Sequence, residues 1–382
     1  MNFSQSKFRA MPLYIKSSIH SWAITGSCFA TLTIILVAGL WPFHSPRNDV
    51  TWLSGENGIR LGRFGCIFSS AGYWNHESKD DTSGSLEVWI KPASITKGRR
   101  TILAFEGPGE DSTAFSLQQS GHTLFVQRKN LDPNGVFHTA EIAIKDALTG
   151  DSPIGITVTL GSQDTNVYRN GVLLAASRMM GQSPPPFAGR VVLGNFLNIG
   201  GAWPGQYYGL AIYHRKLTPK EVASHVEQWN ISHRTEMVRE AQPAALYLFM
   251  EHAGNLIHDE LGSQNSLMIP ERYLVVHPEF LTAPWRHFRS TPGYWEDVAV
   301  NVFGFVPFGL SFFAYFSIVR ATRNPAMLVI FLGFLTSLTI ELLQAWLPTR
   351  NSGMNDLITN TFGTGLGVLL YRTPLARMIL GR

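Results

Sequence analysis

Three small polar sets interrupt otherwise apolar sequence toward the C-terminal end of this 382-residue chain. Asp297 and Asn301 form the first, Ser337, Glu341 and Gln344 the second, and Asp356, Asn360, Gly363 and Gly367 the third. Residues three and four apart share a helix face, so each set would present its polar groups to one side. Carboxylates and carboxamides on apolar helices bind by charge and hydrogen bonding. Arg350, between the second and third sets, is the natural counter-ion for Glu341 or Asp356. An unpaired carboxylate below a bilayer surface costs several kcal/mol, so Glu341 must be paired, hydrated or protonated. Acid–base catalysis needs a nucleophile or a metal as well, and no His or Cys lies in these stretches. Ligand binding is therefore the favoured reading and catalysis the alternative. A network that merely pins helices together is the third.

The elements that must position these groups are helices. Stretches 298–319 and 327–347 are each about 20 residues long, enough to cross a bilayer. Stretch 357–371 is shorter, about 15 residues, with Arg372 and Asp356 placed to reach the interfaces. Successive spans run in opposite directions, which brings all three polar ends to one side of the membrane. A further charge-free stretch, 22–40, follows Lys7, Arg9 and Lys16, with no acid in residues 1–21. Basic residues before a span favour a cytoplasmic N-terminus. No small-x-small cleavage site follows, so an uncleaved anchor is expected over a signal peptide. A lipoprotein reading of Cys28 fails because the apolar run follows it. Arg320 and Arg323 occupy a short loop, and Arg372, Arg377 and Arg382 follow the last span, which puts both on the cytoplasmic side.

These charges predict four spans, at 22–41, 297–319, 326–347 and 357–371, with the tails 1–21 and 373–382 inside. The middle of the chain then lies outside the inner membrane. Charged residues are only 15% of the chain and the net charge is +4. No dense basic patch interleaved with aromatics occurs, so the excess reads as membrane topology and nucleic acid is not an expected partner. Membrane lipids are.

Residues 49–230 change character to short alternating runs with turn punctuation. Leu86, Val88 and Ile90 alternate with Glu87, Trp89 and Lys91, the pattern of a half-buried strand. Ser120-Gly121 separates two more runs. Asn170-Gly171 lies between Val167-Tyr168 and Val172, a strong hairpin signal because both turn positions need positive φ. Thr218 and Pro219 open an amphipathic helix with Val222 and Val226 inward. The fold class is multi-domain α + β: a four-helix transmembrane unit plus an antiparallel β-sandwich. Cys28 and Cys66 lie in different regions and are not expected to pair.

Trp203, Tyr207 and Tyr208 stand in a Gly/Pro-rich stretch and could stack a sugar ring, as could Trp74 with Asn75. The bland alternative for these aromatics is packing. No Asp cluster marks calcium, and no cofactor is expected.

Some motifs carry a resemblance. SLEVWIKP at 85–92, VYRNGVLL at 167–174 and GQYYGLAIYHRKLTPKEVASHV at 205–226 resemble successive strands of a laminin-G-like, concanavalin A-type jelly roll. That resemblance implies glycan or protein-partner binding without fixing a ligand. Glucanases of this type place carboxylates as Glu-x-Asp-x-x-Glu, a spacing missing here; Glu106, Glu110 and Asp111 are near one another but in a Gly/Pro loop. DVAVNVFGFVPFG at 297–309, SLTIELLQAWLPTR at 337–350 and NDLITNTFGTGLG at 355–367 resemble the VanZ family, with the VanZ-like unit at 297–372. This resemblance implies a cell-envelope protein linked to glycopeptide resistance. It leaves the biochemical activity open, and the large inserted β domain departs from the usual compact form. Residues 231–295 connect the two, either as an extension of the β domain or as a membrane-surface segment.

Overall fold

A computed structural model describes residues 13–69, 83–92, 98–106, 113–131, 137–162, 164–178, 187, 189–194, 202–230, 242–262, 265–274, 280–287, 292–347, 350 and 352–373. The chain forms two compact units. One joins the N-terminal helix to the chain from Pro278 onward; the other is Ser45–His277.

The second unit is built on two antiparallel sheets. Strands β1 (Val50–Trp52), β2 (Ile59–Leu61), β13 (Gln206–Tyr213), β4 (Gly84–Lys91), β9 (Ile154–Leu160), β10 (Asp164–Arg169) and β11 (Val172–Arg178) follow one another across the first, with β14 (Ala245–Tyr247) also on β13. The other sheet runs β15 (Leu256–Ile257), β16 (Leu267–Met268), β3 (Ile67–Ser69), β12 (Arg190–Leu193), β5 (Arg100–Glu106), β6 (Thr113–Ser120), β7 (Thr123–Leu131) and β8 (Phe137–Ile144). The alternating aliphatics of both sheets, among them Leu86, Val88, Leu117, Val126, Val158 and Leu210, interdigitate in one core. The Asn170-Gly171 hairpin forms as expected, with φ of 48° and 81° at the two turn residues.

One expectation needs correction. Strand β4 is not half-buried: Glu87 and Trp89 on its second face are buried, as Leu86 and Val88 are on the first. The cover is helix α2 (Pro219–Asn230). Thr218 caps it, with its Oγ1 accepting the Glu221 N–H at 3.3 Å while Glu221 accepts the Thr218 N–H at 2.7 Å. Val222, His225 and Trp229 then fall on one buried face. Trp229 stacks on Trp89 with ring centroids 3.7 Å apart. Gly209 in β13 makes room, since a Cβ there would collide with the Trp229 ring.

The connecting segment divides. Strand β14 pairs with β13, and β15 and β16 extend the other sheet through β3. Residues up to 274 thus complete the sandwich, beyond the expected limit at 230. From residue 280 the chain belongs to the helical unit.

That unit holds α1 (Leu13–Leu40), the short α3 (Pro284–His287), α4 (Pro292–Ala314) continuing into a π-helical turn (Tyr315–Val319), α5 (Pro325–Gln344) and α6 (Met354–Arg372). Among the described residues, three stretches are long and apolar enough to cross a membrane: Ser21–Leu40, Pro292–Val319 and Pro325–Gln344. Helix α6, with 19 residues, is long enough, but its Asn, Asp and Thr residues keep it outside that group, so among the described residues three of the four expected spans are apolar enough to cross.

Candidate functional site

Small residues set the spacing of the helical unit. A Cβ on Gly363 would strike the Val302 carbonyl oxygen, and one on Gly367 would strike that of Val306. Gly309 of α4 lies as close to the Thr364 carbonyl, and Gly333 of α5 to the Thr364 side chain. The expected small-xxx-small face of α6 therefore brings α4 and α5 into backbone-level contact.

This approach sets the polar faces of α5 and α6 against each other. Ser337, Glu341 and Gln344 are all buried on α5, with Glu341 1% exposed, and Asn360 is buried on α6. Asn360 Nδ2 donates to Ser337 Oγ at 3.0 Å. One turn nearer the helix ends, Glu341 Oε2 accepts the Gly353 N–H at 2.8 Å. The Ser352 hydroxyl also hydrogen-bonds Glu341, and Asp356 is close enough to act on its charge. Asn360 Oδ1 and Gln344 Oε1 are buried acceptors without a donor among the described residues.

Arg350 corrects the sequence expectation. It is not the counter-ion of Glu341 or Asp356. Its Nη2 donates to the carbonyl oxygens of Trp41 at 2.6 Å and Ala38 at 3.3 Å, at the C-terminal end of α1. Gln344 Nε2 donates there too, to Gly39 at 2.8 Å. Helix C-termini carry unsatisfied carbonyls and a partial negative charge, which suits a guanidinium. Asp297 is exposed and Asn301 half-buried, and neither is bonded to Glu341 among the described residues.

A strap closes the end of this site. The Leu281 N–H donates to Ser352 Oγ at 3.2 Å, the Thr282 N–H to the Ser352 carbonyl at 3.2 Å, and the Met354 N–H to the Thr282 carbonyl at 3.0 Å. Exposed Trp41, Phe280, Trp285, Trp295 and Trp346 all belong to chain segments at this same pole. Exposed aromatic residues at the ends of apolar helices suit a membrane–water interface.

In the sandwich, the expected stacking aromatics are corrected. Trp203 and Tyr207 are wholly buried. Trp203 Nε1 donates to Gln119, and the Tyr207 hydroxyl to the Ile102 carbonyl, so both rings are core and offer no face to a sugar. Tyr208 is also buried, with its hydroxyl reaching Glu56 at 3.4 Å. Trp74 and Asn75 lie outside the described residues.

A polar row was missed. Ser116 of β6 stands opposite Gln127 of β7, and Gln127 opposite Glu141 of β8. Gln127 Nε2 donates to Glu141 at 2.8 Å, and Arg99 closes on Glu141 at 2.6 and 2.9 Å while lying 3.9 Å from the Phe125 ring centroid. These side chains point away from the core-facing Phe115, Leu117, Leu124 and Val126. Polar residues at alternate strand positions were the available signal. Among the described residues, no group of three or more His, Cys, Asp or Glu is placed to hold a metal.

Comparison with known proteins adds the following. Residues 228–377 match the VanZ/LLP1 family, and residues 69–223 match the concanavalin A-like lectin/glucanases superfamily. The first match begins early enough to include β14, β15 and β16. No curated protein matches the chain. Similar solved structures include the botulinum neurotoxin type G receptor binding domain, at 14% identity and TM-score 0.36, covering 48% of this chain and 45% of that one. The binding domain of Paraclostridial Mosquitocidal Protein 1 is similar at 14% identity and TM-score 0.37, covering 48% and 47%. The alignments thus span less than half of either neighbour. The chain thus carries one region that matches the VanZ/LLP1 family and another that matches the concanavalin A-like lectin/glucanases superfamily, and its apolar helices fit a membrane protein.

Proposed function

We propose that this protein works at the cell envelope. It spans the inner membrane four times with both termini in the cytoplasm and the sandwich outside. The helical unit binds the polar group of a lipid or lipid-linked molecule at the pole formed by Glu341, Asn360 and the 352–354 loop. The sandwich engages a glycan or a partner protein, and the Ser116–Gln127–Glu141 row with Arg99 is the face we assign to that contact.

One observation carries the reading. Glu341 is a buried carboxylate that Arg350, the basic residue nearest to it in sequence, does not answer, on segments that also carry exposed tryptophans suited to headgroup depth. Buried ionisable groups in membrane helices mark ligand or ion sites more often than they stabilise.

The test is lipid retention by the full chain, purified in mild detergent and analysed by native mass spectrometry. The wild type should carry lipid through purification. Glu341→Gln should lose at least about tenfold of it while still unfolding cooperatively, corresponding to the loss of one charge-assisted contact. Equal retention in both proteins, or none in the wild type, overturns the lipid site. For the sandwich, glycan-array binding by the full chain should disappear in Arg99→Ala with Gln127→Ala. An array without signal favours a protein partner.

A further inference from the structure

Among the described residues, the groups that hydrogen-bond Glu341 carry no positive charge. Its carboxylate receives the Gly353 N–H and the Ser352 hydroxyl, both neutral donors. Across the helix interface, Asn360 spends its amide nitrogen on Ser337 and leaves Oδ1 buried with no donor among the described residues. Asn360 and Ser337 sit one turn from Glu341 along the facing helices. No ion pair reaches Glu341 among the described residues, because Arg350 is directed to Trp41 and Ala38.

A lining of carboxylate, amide carbonyl and hydroxyl oxygens repels phosphates and other anions. It matches hard cations, which take oxygen ligands, and ammonium groups, which carry three donors and no acceptor. A carboxylate removed from water stands only when its charge is answered or neutralised. We infer that the Glu341–Asn360 pole takes a cation, either an alkali metal ion or the primary ammonium of a lipid headgroup. The ammonium form rests on the lipid-site reading above; the metal form does not.

The experiment uses the full chain. Thermal unfolding is followed by circular dichroism in sodium chloride against N-methylglucamine chloride at equal ionic strength. It is repeated in nanodiscs of mixed phosphatidylethanolamine and phosphatidylglycerol against phosphatidylglycerol alone. In one arm the wild type should gain about 3 °C or more, as a ligand that binds only the folded state requires. Glu341→Gln and Asn360→Ala should each weaken that response about tenfold or abolish it. Asn360→Ala keeps the carboxylate and carries the test if Glu341→Gln does not fold. A sodium response assigns the metal ion, and a phosphatidylethanolamine response assigns the headgroup. A wild type indifferent in both arms, or variants that respond as the wild type does, overturns the cation. If lipid is retained through Glu341 while both arms are flat, the cation falls and the lipid site stands. If sodium stabilises a protein that retains no lipid, the reverse holds.

Discussion

Arg350 clasps Trp41: its Nη2 and Nε both donate to that carbonyl oxygen, at 2.6 and 3.1 Å. The contact joins the loop after α5 to the end of α1, and Ala38 and Gly39 add to it through Arg350 and Gln344. Arg350→Ala should therefore loosen α1 from the other helices. Hydrogen bonds from a charged donor to a helix end should make this cost about 1–2 kcal/mol, read as a fall in melting temperature in detergent. Arg350→Lys should recover only part, because an ammonium cannot present the guanidinium fork. The double variant with Glu341→Gln should be additive within about 0.5 kcal/mol, since the two residues are not paired. A larger coupling would restore the ion pair this structure replaces.

The glycine contacts predict a graded response along α6. Gly363 and Gly367 face carbonyl oxygens of α4, while Gly365 has open space around it. Gly363→Ile and Gly367→Ile should each push the helices apart and cost about 3 kcal/mol or more, the upper end for overpacking. Gly365→Ala should be neutral or slightly stabilising, because it replaces glycine inside a helix. Disulfide crosslinking between cysteines placed on α4 and α6 would report the separation. Equal tolerance at all three positions would contradict the packing.

Much of this organisation was legible, and the failures share a cause. The β strands announced themselves by alternation, the 170–171 turn by two residues that accept positive φ, and the α6 contact face by glycines four apart. Arg350 was assigned to the nearest carboxylates in sequence. Its true partner is a backbone carbonyl 309 residues earlier, and backbone acceptors carry no residue-type signal. Glu87 looked solvent-facing because the helix that buries it arrives 138 residues later in the form of His225. Trp203 and Tyr207 looked like loop aromatics beside glycines, yet Tyr207 lies within a central strand and Trp203 finds Gln119 across the core.

The Glu87 contacts make α2 a structural clasp. Glu87 Oε2 accepts from Tyr213 and pairs with His225 Nδ1, each at 2.9 Å, and Thr157 reaches Oε1 at 3.3 Å. All four residues are buried. Removing one partner from a buried charge is costly, so His225→Ala should destabilise the sandwich by about 3 kcal/mol. Tyr213→Phe should cost about 1–2 kcal/mol, and Thr157→Val less, in keeping with its longer contact. Denaturant unfolding monitored by the fluorescence of the stacked Trp89 and Trp229 would rank them. If His225→Ala proved the mildest, the clasp would not hold the helix.

Cys66 predicts a pH effect on the same unit. It is buried beside Tyr273 and Ala202, and burial pushes its thiol up to about 11, only slightly offset by a hydrogen bond with the Leu274 backbone. In the unfolded chain a thiol ionises near about 8.5. Below that pH both states hold the proton and the contribution is complete. As pH rises, the unfolded state ionises first, so stability falls between about pH 8.5 and the folded value, by up to about 1.4 kcal/mol per unit. Cys66→Ala should remove this slope while lowering stability at pH 7.5 through the small cavity it leaves. Denaturant unfolding of wild type and variant at pH 7.5, 8.5 and 9.5 should thus show two curves converging as pH rises; parallel curves would mean that the thiol ionises as readily folded as unfolded. Iodoacetamide should leave native Cys66 unmodified at pH 8.5 and label it promptly once the sandwich unfolds, because the thiolate is the reacting form.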